Sequence, residues 1–200
     1  MRLALLLSLV TVFPVHAQGL LEKILERLAE PAVVRAQFIQ ERLLTDMTRP
    51  TLSRGRITVS RREGVLWQIE SPVKVTLAFT PTGIIQTGPD GVRRPQAQRR
   101  GAVENEIARV MQGILGADQQ SLQSNFEVRA SGSLERWTLQ LAPRAREMAR
   151  FLREIRLGGG QRLDTIEIEE TSGNQTTIRL RAITIADKLE PDELAQFKAP

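Results

Sequence analysis

His16 is the only histidine in this 200-residue chain, and cysteine and tyrosine are absent. Carboxylates, serines and four lysines (Lys23, Lys74, Lys188 and Lys198) are the groups left for chemistry. A carboxylate pair or a Ser-Lys pair could be assembled from them. The chain holds no G-x-S-x-G elbow, P-loop or G-x-G-x-x-G turn that would position such groups. These residue types therefore point away from an enzyme and toward a protein that works by binding, with no cofactor and no metal expected.

His16 itself falls in a segment that reads as an export leader. Arg2 supplies a positive end, Leu3 to Val12 an apolar core of about ten residues, and Val15-His16-Ala17 a small-x-small cleavage site. The apolar run is too short for a stable membrane anchor, so cleavage after Ala17 is expected, with residues 18–200 forming a single domain. The other reading of this stretch is a buried N-terminal helix. Cleavage removes Arg2 and His16 and lowers the formal net charge from +5 to +4. Without histidine or cysteine, Ser-His-Asp and Cys-His catalysis and His/Cys zinc sites are excluded. Gln18 at the new terminus is not a cysteine, so the lipoprotein route offers no lipid attachment. The expected location is the periplasm, free of an anchor. An exported chain without cysteine must be held by its core and not by disulfides.

With 41% hydrophobic and 26% charged residues, the sequence is too apolar to be disordered. Its basic balance suggests nucleic-acid binding, but export argues against it. A monomer is expected.

The elements are legible from their periods. Leu20, Leu21, Ile24, Leu25 and Leu28 recur at helical spacing until Pro31. From Val34-Ala36-Phe38 the period becomes two, continuing through Ile57/Val59, Val65/Trp67/Ile69 and Val73/Val75/Leu77/Phe79. Short turns between these runs predict an antiparallel meander. Gly88 to Gly101, with Arg93, Arg94, Arg99 and Arg100, reads as an exposed loop able to touch anionic headgroups or an acidic partner. A second amphipathic helix is expected from Ala102 to Leu115, with Val103, Ile107, Val110, Met111, Ile114 and Leu115 on one face. Strands resume at Phe126-Val128-Ala130 and Trp137-Leu139-Leu141, and a helical turn is expected within Arg146 to Arg153. Ile155/Leu157 follow, then a hairpin of Leu163 to Glu170 and Thr176 to Ile185. The fold class is α+β: a strongly curved antiparallel sheet of about 10–11 strands, an incomplete β-barrel, with amphipathic helices as a lid over an apolar cavity. Two readings of the second helix stay open, a lid over a cavity or a plug that fills it.

The stretch Gly55-Arg56-Ile57-Thr58-Val59-Ser60-Arg61-Arg62-Glu63-Gly64-Val65-Leu66-Trp67-Gln68-Ile69-Glu70-Ser71-Pro72 resembles the signature of the LolA-like periplasmic lipoprotein carriers. That signature runs G-x-hydrophobic-x-hydrophobic-x-R-P, then a tryptophan, then a proline. Val34-Arg35-Ala36-Gln37-Phe38-Ile39-Gln40 is similar to the family's opening strand. Leu141-Ala142-Pro143, Ile166-Glu167-Ile168-Glu169, Gly173-Asn174-Gln175-Thr176 and Phe197 fall in its order. Arg62 stands where the family has proline, Thr82-Gly83 where Asp-Gly is usual, and the aromatic stretch after it is missing.

The resemblance implies a carrier that shelters acyl chains of lipoproteins, or of a related lipid, between inner and outer membranes. It also implies an inner-membrane exporter and an outer-membrane acceptor as partners. Arg61 matches the arginine that latches the lid by bonding to its backbone. If the turn near Gly64 preserves parity, Ile57, Val59, Val65, Trp67 and Ile69 share the inner face with Val75 and Leu77, and Val103, Ile107, Val110, Met111 and Ile114 line the lid. Trp67 and Trp137 also fit plain core packing. Two alternatives remain: an envelope scaffold whose core is filled, and a lipid hydrolase that manages without histidine.

Overall fold

Leu21, Ile24, Leu25 and Leu28 give the first helix, α1 (Val15–Ala29), one apolar stripe; all four are buried, while Glu22, Lys23 and Glu26 face solvent. The computed structural model describes residues 15–96 and 119–198. The helix expected at Ala102 to Leu115 and most of the export leader lie outside those residues.

Six strands follow α1: β1 (Val33–Leu43), β2 (Thr51–Ser60), β3 (Gly64–Ser71), β4 (Val75–Thr80), β5 (Gly83–Thr87) and β6 (Arg93–Gln96). A short helix α2 (Gln119–Asn125) leads into β7 (Phe126–Gly132) and β8 (Trp137–Pro143). One further turn of helix, α3 (Arg146–Ala149), precedes β9 (Leu152–Gly159), β10 (Leu163–Glu170) and β11 (Gln175–Ala186), and the last helix is α4 (Pro191–Phe197).

Among the described residues, the eleven strands form one sheet in the order β6-β5-β4-β3-β2-β1-β11-β10-β9-β8-β7. Every pairing is antiparallel, and β6 and β7 are edges that do not meet. The first and last strands pair at its centre, β1 against β11. The register aligns inward residues in rows: Ala36 opposes Ile57, Ile57 opposes Trp67, and Trp67 opposes Leu77. A second row runs Val34, Val59, Val65, Phe79. Parity is thus kept through the Gly64 turn, and cross-strand neighbours of like character pack against each other. On the other flank, Leu139, Leu157, Ile166 and Ile178 make the corresponding row. Rows from both flanks and the apolar stripe of α1 belong to one buried cluster on the inner face.

Three expectations change. Arg93–Gln96 is a strand, not loop: it pairs with β5 as an edge, where Pro95 is tolerated because no further strand needs its missing N–H. Val73 is outside β4 and exposed, since the turn after β3 extends to Lys74. The helix at the C-terminal end was not anticipated.

That helix, α4, covers the outer face. Phe197 packs on Leu66, Ala78 and Ile85, the outward residues of β3, β4 and β5. Arg35 on β1 grips Glu193 through two parallel hydrogen bonds, Nε to Oε1 at 2.6 Å and Nη2 to Oε2 at 2.5 Å, and Thr58 donates to Oε1 at 3.1 Å. Glu193 also accepts the Glu190 backbone N–H, which closes a capping box. Burial pushes the Glu193 carboxyl up, but the hydrogen bonds from Arg35, Glu190 and Thr58 outweigh it and hold the group below the usual carboxylate range.

A carboxyl with a lowered folded pKa stabilises the fold at every pH above its ordinary range, and that contribution disappears as pH falls through the lowered value. Glu193→Ala should therefore cost about 2 kcal/mol at neutral pH in chemical unfolding. The gap between variant and parent should close on acidification below the carboxylate range.

Candidate functional site

Strand alternation puts Ile57, Val59, Val65, Trp67, Ile69, Val75 and Leu77 on the inner face, and the structure brings all seven together. Ile57, Val59, Val65 and Trp67 are at most 3% exposed, Leu77 is at the buried margin, and Ile69 and Val75 pack half-buried against the same cluster. Val103, Ile107, Val110, Met111, Ile114 and Leu115 lie outside the described residues, as do Arg99 and Arg100. Leu122 on α2, which sequence reasoning passed over, joins the inner cluster from the chain leading into β7.

The two tryptophans differ in a way that matters. Trp137 donates its indole N–H to the Gly160 carbonyl at 2.7 Å. Trp67 lies against Phe38 with ring centroids 4.8 Å apart and planes tilted by 47°, and its Nε1–H is buried with no acceptor among the described residues. A buried N–H left unpaired costs about 1–3 kcal/mol, so such a group is retained at some expense to stability.

α1 crosses this face and is fastened at its last turn from both flanks. Arg61, just after β2, sends Nη2 to the carbonyl oxygens of Glu30 at 2.8 Å and Pro31 at 3.4 Å, and its own N–H bonds to Ala32 at 3.1 Å. Arg27 donates from Nη1 to the Leu134 carbonyl at 2.7 Å, in the turn between β7 and β8 at the far edge. The carbonyl end of a helix carries partial negative charge and unpaired acceptors, so a guanidinium is well placed there. Among the described residues, the other attachments of the α1 side chains are apolar contacts. Arg144 fixes the join of α2 and β7 by bonding the carbonyls of Gln123 and Phe126 at 2.9 and 3.0 Å.

Of the arginines read as free for headgroups, Arg93 is committed elsewhere: its Nη2 caps the end of α4 by bonding the carbonyls of Gln196, at 2.9 Å, and Lys198. Arg94 is exposed and paired with Asp90 at 2.9 Å. One Ser-x-x-Lys spacing does occur, Ser71 to Lys74, but it spans the β3–β4 turn with Lys74 exposed to solvent. Among the described residues, no three His, Cys, Asp or Glu side chains gather as metal ligands, and no helix is long and apolar enough to cross a membrane. A hollow of about 370 Å³ is bounded by Gln37, Ile39, Arg56, Glu70 and Arg181, with Phe38 and Gly55 also in its lining.

Residues 17–198 match the family described as outer membrane lipoprotein carrier protein LolA-like. Among solved structures, a LolA superfamily protein from Nitrosomonas europaea is similar with a TM-score of 0.51 and 13% identity, over 89% of this chain and 96% of that one. A DUF1329 family protein from Desulfovibrio piger is similar with a TM-score of 0.50 and 8% identity, over 87% and 92%. These likenesses lie in the fold. No curated protein matches the sequence.

Removing one fastening of α1 should free its last turn without unfolding the sheet. Arg61→Leu is expected to lower stability by about 1 kcal/mol and to speed proteolytic cleavage around residues 27–32. The strands should stay as protected as in the parent. Cleavage at the parental rate in Arg61→Leu and in Arg27→Leu would show that these bonds do not hold the helix.

Proposed function

The chain belongs to the LolA-like family of outer membrane lipoprotein carriers, and from that premise we propose that its inner face shelters acyl chains of lipoproteins, or of a related lipid, in transit across the periplasm. The observation that carries this reading is the way α1 lies over a continuous apolar face, pinned at one end by Arg61 and Arg27. An acyl chain offers that face the same kind of contact as Leu21, Ile24, Leu25 and Leu28. Exchanging one for the other costs little apolar burial.

Each buried methylene contributes roughly 0.8 kcal/mol, so a partly sheltered acyl chain gains several kcal/mol on leaving water. The two arginine bonds set the bias between closed and open states without making closure irreversible. Trp67 adds a polar point of recognition, since its unpartnered N–H can donate to the carbonyl oxygen of an ester- or amide-linked chain. In this reading the protein is a carrier and not an enzyme, it takes cargo from an inner-membrane exporter, and it passes cargo to an outer-membrane acceptor.

One observation favours a second reading. Ile57, Val59, Val65 and Trp67 are almost completely covered as they stand, which would also suit a scaffold with a permanently filled core.

Native mass spectrometry of protein purified from its own periplasm, with extraction of bound lipid and displacement by an acyl probe, separates the two. Co-purified lipid that the probe displaces supports the carrier. Protein that comes out empty and ignores the probe supports the scaffold. Trp67→Phe is expected to weaken an ester-bearing probe about fivefold while leaving a plain hydrocarbon probe unchanged, about one hydrogen bond's worth.

A further inference from the structure

The two ends of the sheet present different chemistry to solvent. Because every pairing is antiparallel, successive turns fall at alternate ends. The β2–β3, β4–β5, β7–β8 and β9–β10 turns share the end where Arg61 and Arg27 fasten α1. The β1–β2 hairpin, the β3–β4, β5–β6 and β10–β11 connections and the junction of α3 with β9 share the other.

Among the described residues, eight large hydrophobic side chains are exposed, and six of them sit at that second end. Leu43, Met47 and Leu52 are on the first hairpin, Val73 precedes β4, Val92 precedes β6 and Phe151 precedes β9. Leu52 at 62% and Val73 at 55% are among the most open. Scattered exposed apolar residues need no explanation, but six of eight gathered at one rim do. Strand order spreads these tips along an arc from β5 to β9, seven strand spacings or roughly 34 Å.

Charge at this rim favours one kind of surface. Arg49, Lys74, Arg146 and Arg150 are exposed there and have no carboxylate partner among the described residues. They outnumber Asp46 and Glu147, because Glu70, Asp90 and Glu170 are already held by Arg56, Arg94 and Arg42. Separated apolar tips with basic groups between them suit a fluid, negatively charged interface better than one compact pocket-filling partner.

We propose that this rim seats the protein on the surface of an anionic lipid bilayer. The aliphatic tips and Phe151 enter the headgroup layer while the free guanidinium and ammonium groups face phosphates. Binding of this kind is reversible and weakens with salt. The inference goes beyond the proposed carrier role and does not depend on what the inner face holds.

The test is flotation of the purified protein with vesicles of phosphatidylethanolamine and phosphatidylglycerol, against vesicles of phosphatidylcholine alone. The parent should float with the anionic vesicles and less so as salt rises. Combining Leu52→Ser, Val73→Ser and Phe151→Ser, all exposed and checked for unchanged thermal unfolding, should reduce binding roughly tenfold or more. Combining Ile185→Ser and Leu194→Ser, away from the rim, should not. Since the chain has no cysteine, an environment-sensitive dye can be placed singly through Val73→Cys, Phe151→Cys or Gln161→Cys. Its emission should shift to the blue on anionic vesicles at the first two positions and stay fixed at the third, in the β9–β10 turn. A parent that remains soluble, a rim variant that floats like the parent, or a shift only at position 161 overturns the proposal. A rim variant that loses a protein partner but binds vesicles normally overturns it in favour of a protein surface.

Discussion

The hydrogen bonds from Arg61 to the carbonyls of Glu30 and Pro31, and from Arg27 to Leu134, join two flanks of a sheet whose edges never pair. A closed barrel would hide its inner face by its own curvature. This sheet stops at β6 and β7, so an apolar surface running from Leu77 across to Leu139 has to be covered by something else. α1 does this with the stripe Leu21, Ile24, Leu25 and Leu28, and its position is specified by a few polar contacts at one end. Apolar packing is strong but weakly directional, whereas the arginine bonds are weak but fix location. The proposed carrier role requires that a cover built from those two parts be exchanged for another apolar group without dismantling the sheet.

The outer face is arranged on the opposite principle. Phe197 fills a small apolar patch, but Arg35, Thr58 and the capping box of α4 converge on Glu193, and Arg93 closes the end of that helix. These polar bonds tie β1, β2 and β6 to the end of the chain. They also explain why Arg93 is withdrawn from the arginine-rich surface that its sequence neighbours suggest.

The inner face was legible in the sequence because period-two alternation fixes both strand and facing, and the Gly64 turn keeps parity. Ile57, Val59, Val65, Trp67 and Ile69 therefore group together on the sequence pattern alone. The location of Arg61 beside a helix end was legible only through the family resemblance, since no local pattern distinguishes it from other strand arginines. β6 was missed because Arg-Arg-Pro-Gln lacks alternation: an edge strand with few inward contacts carries little hydrophobic signal. α2 presents a single buried leucine, Leu122, too little to show a helical period. α4 did leave a trace, Pro191 at the helix start and Glu193 three residues after Glu190. That capping signal was overlooked because only Phe197 supplies its buried apolar contact.

Hydrogen exchange along α1, measured peptide by peptide with and without an acyl ligand, tests most directly whether this helix is a replaceable cover. If it is, amides of α1 exchange by local opening well before those of β1, β2 and β11 beneath them, and the acyl ligand changes exchange in α1 far more than in the strands. If α1 exchanges only as fast as the central strands and the ligand leaves it unchanged, the helix is a fixed part of the core and the account is contradicted.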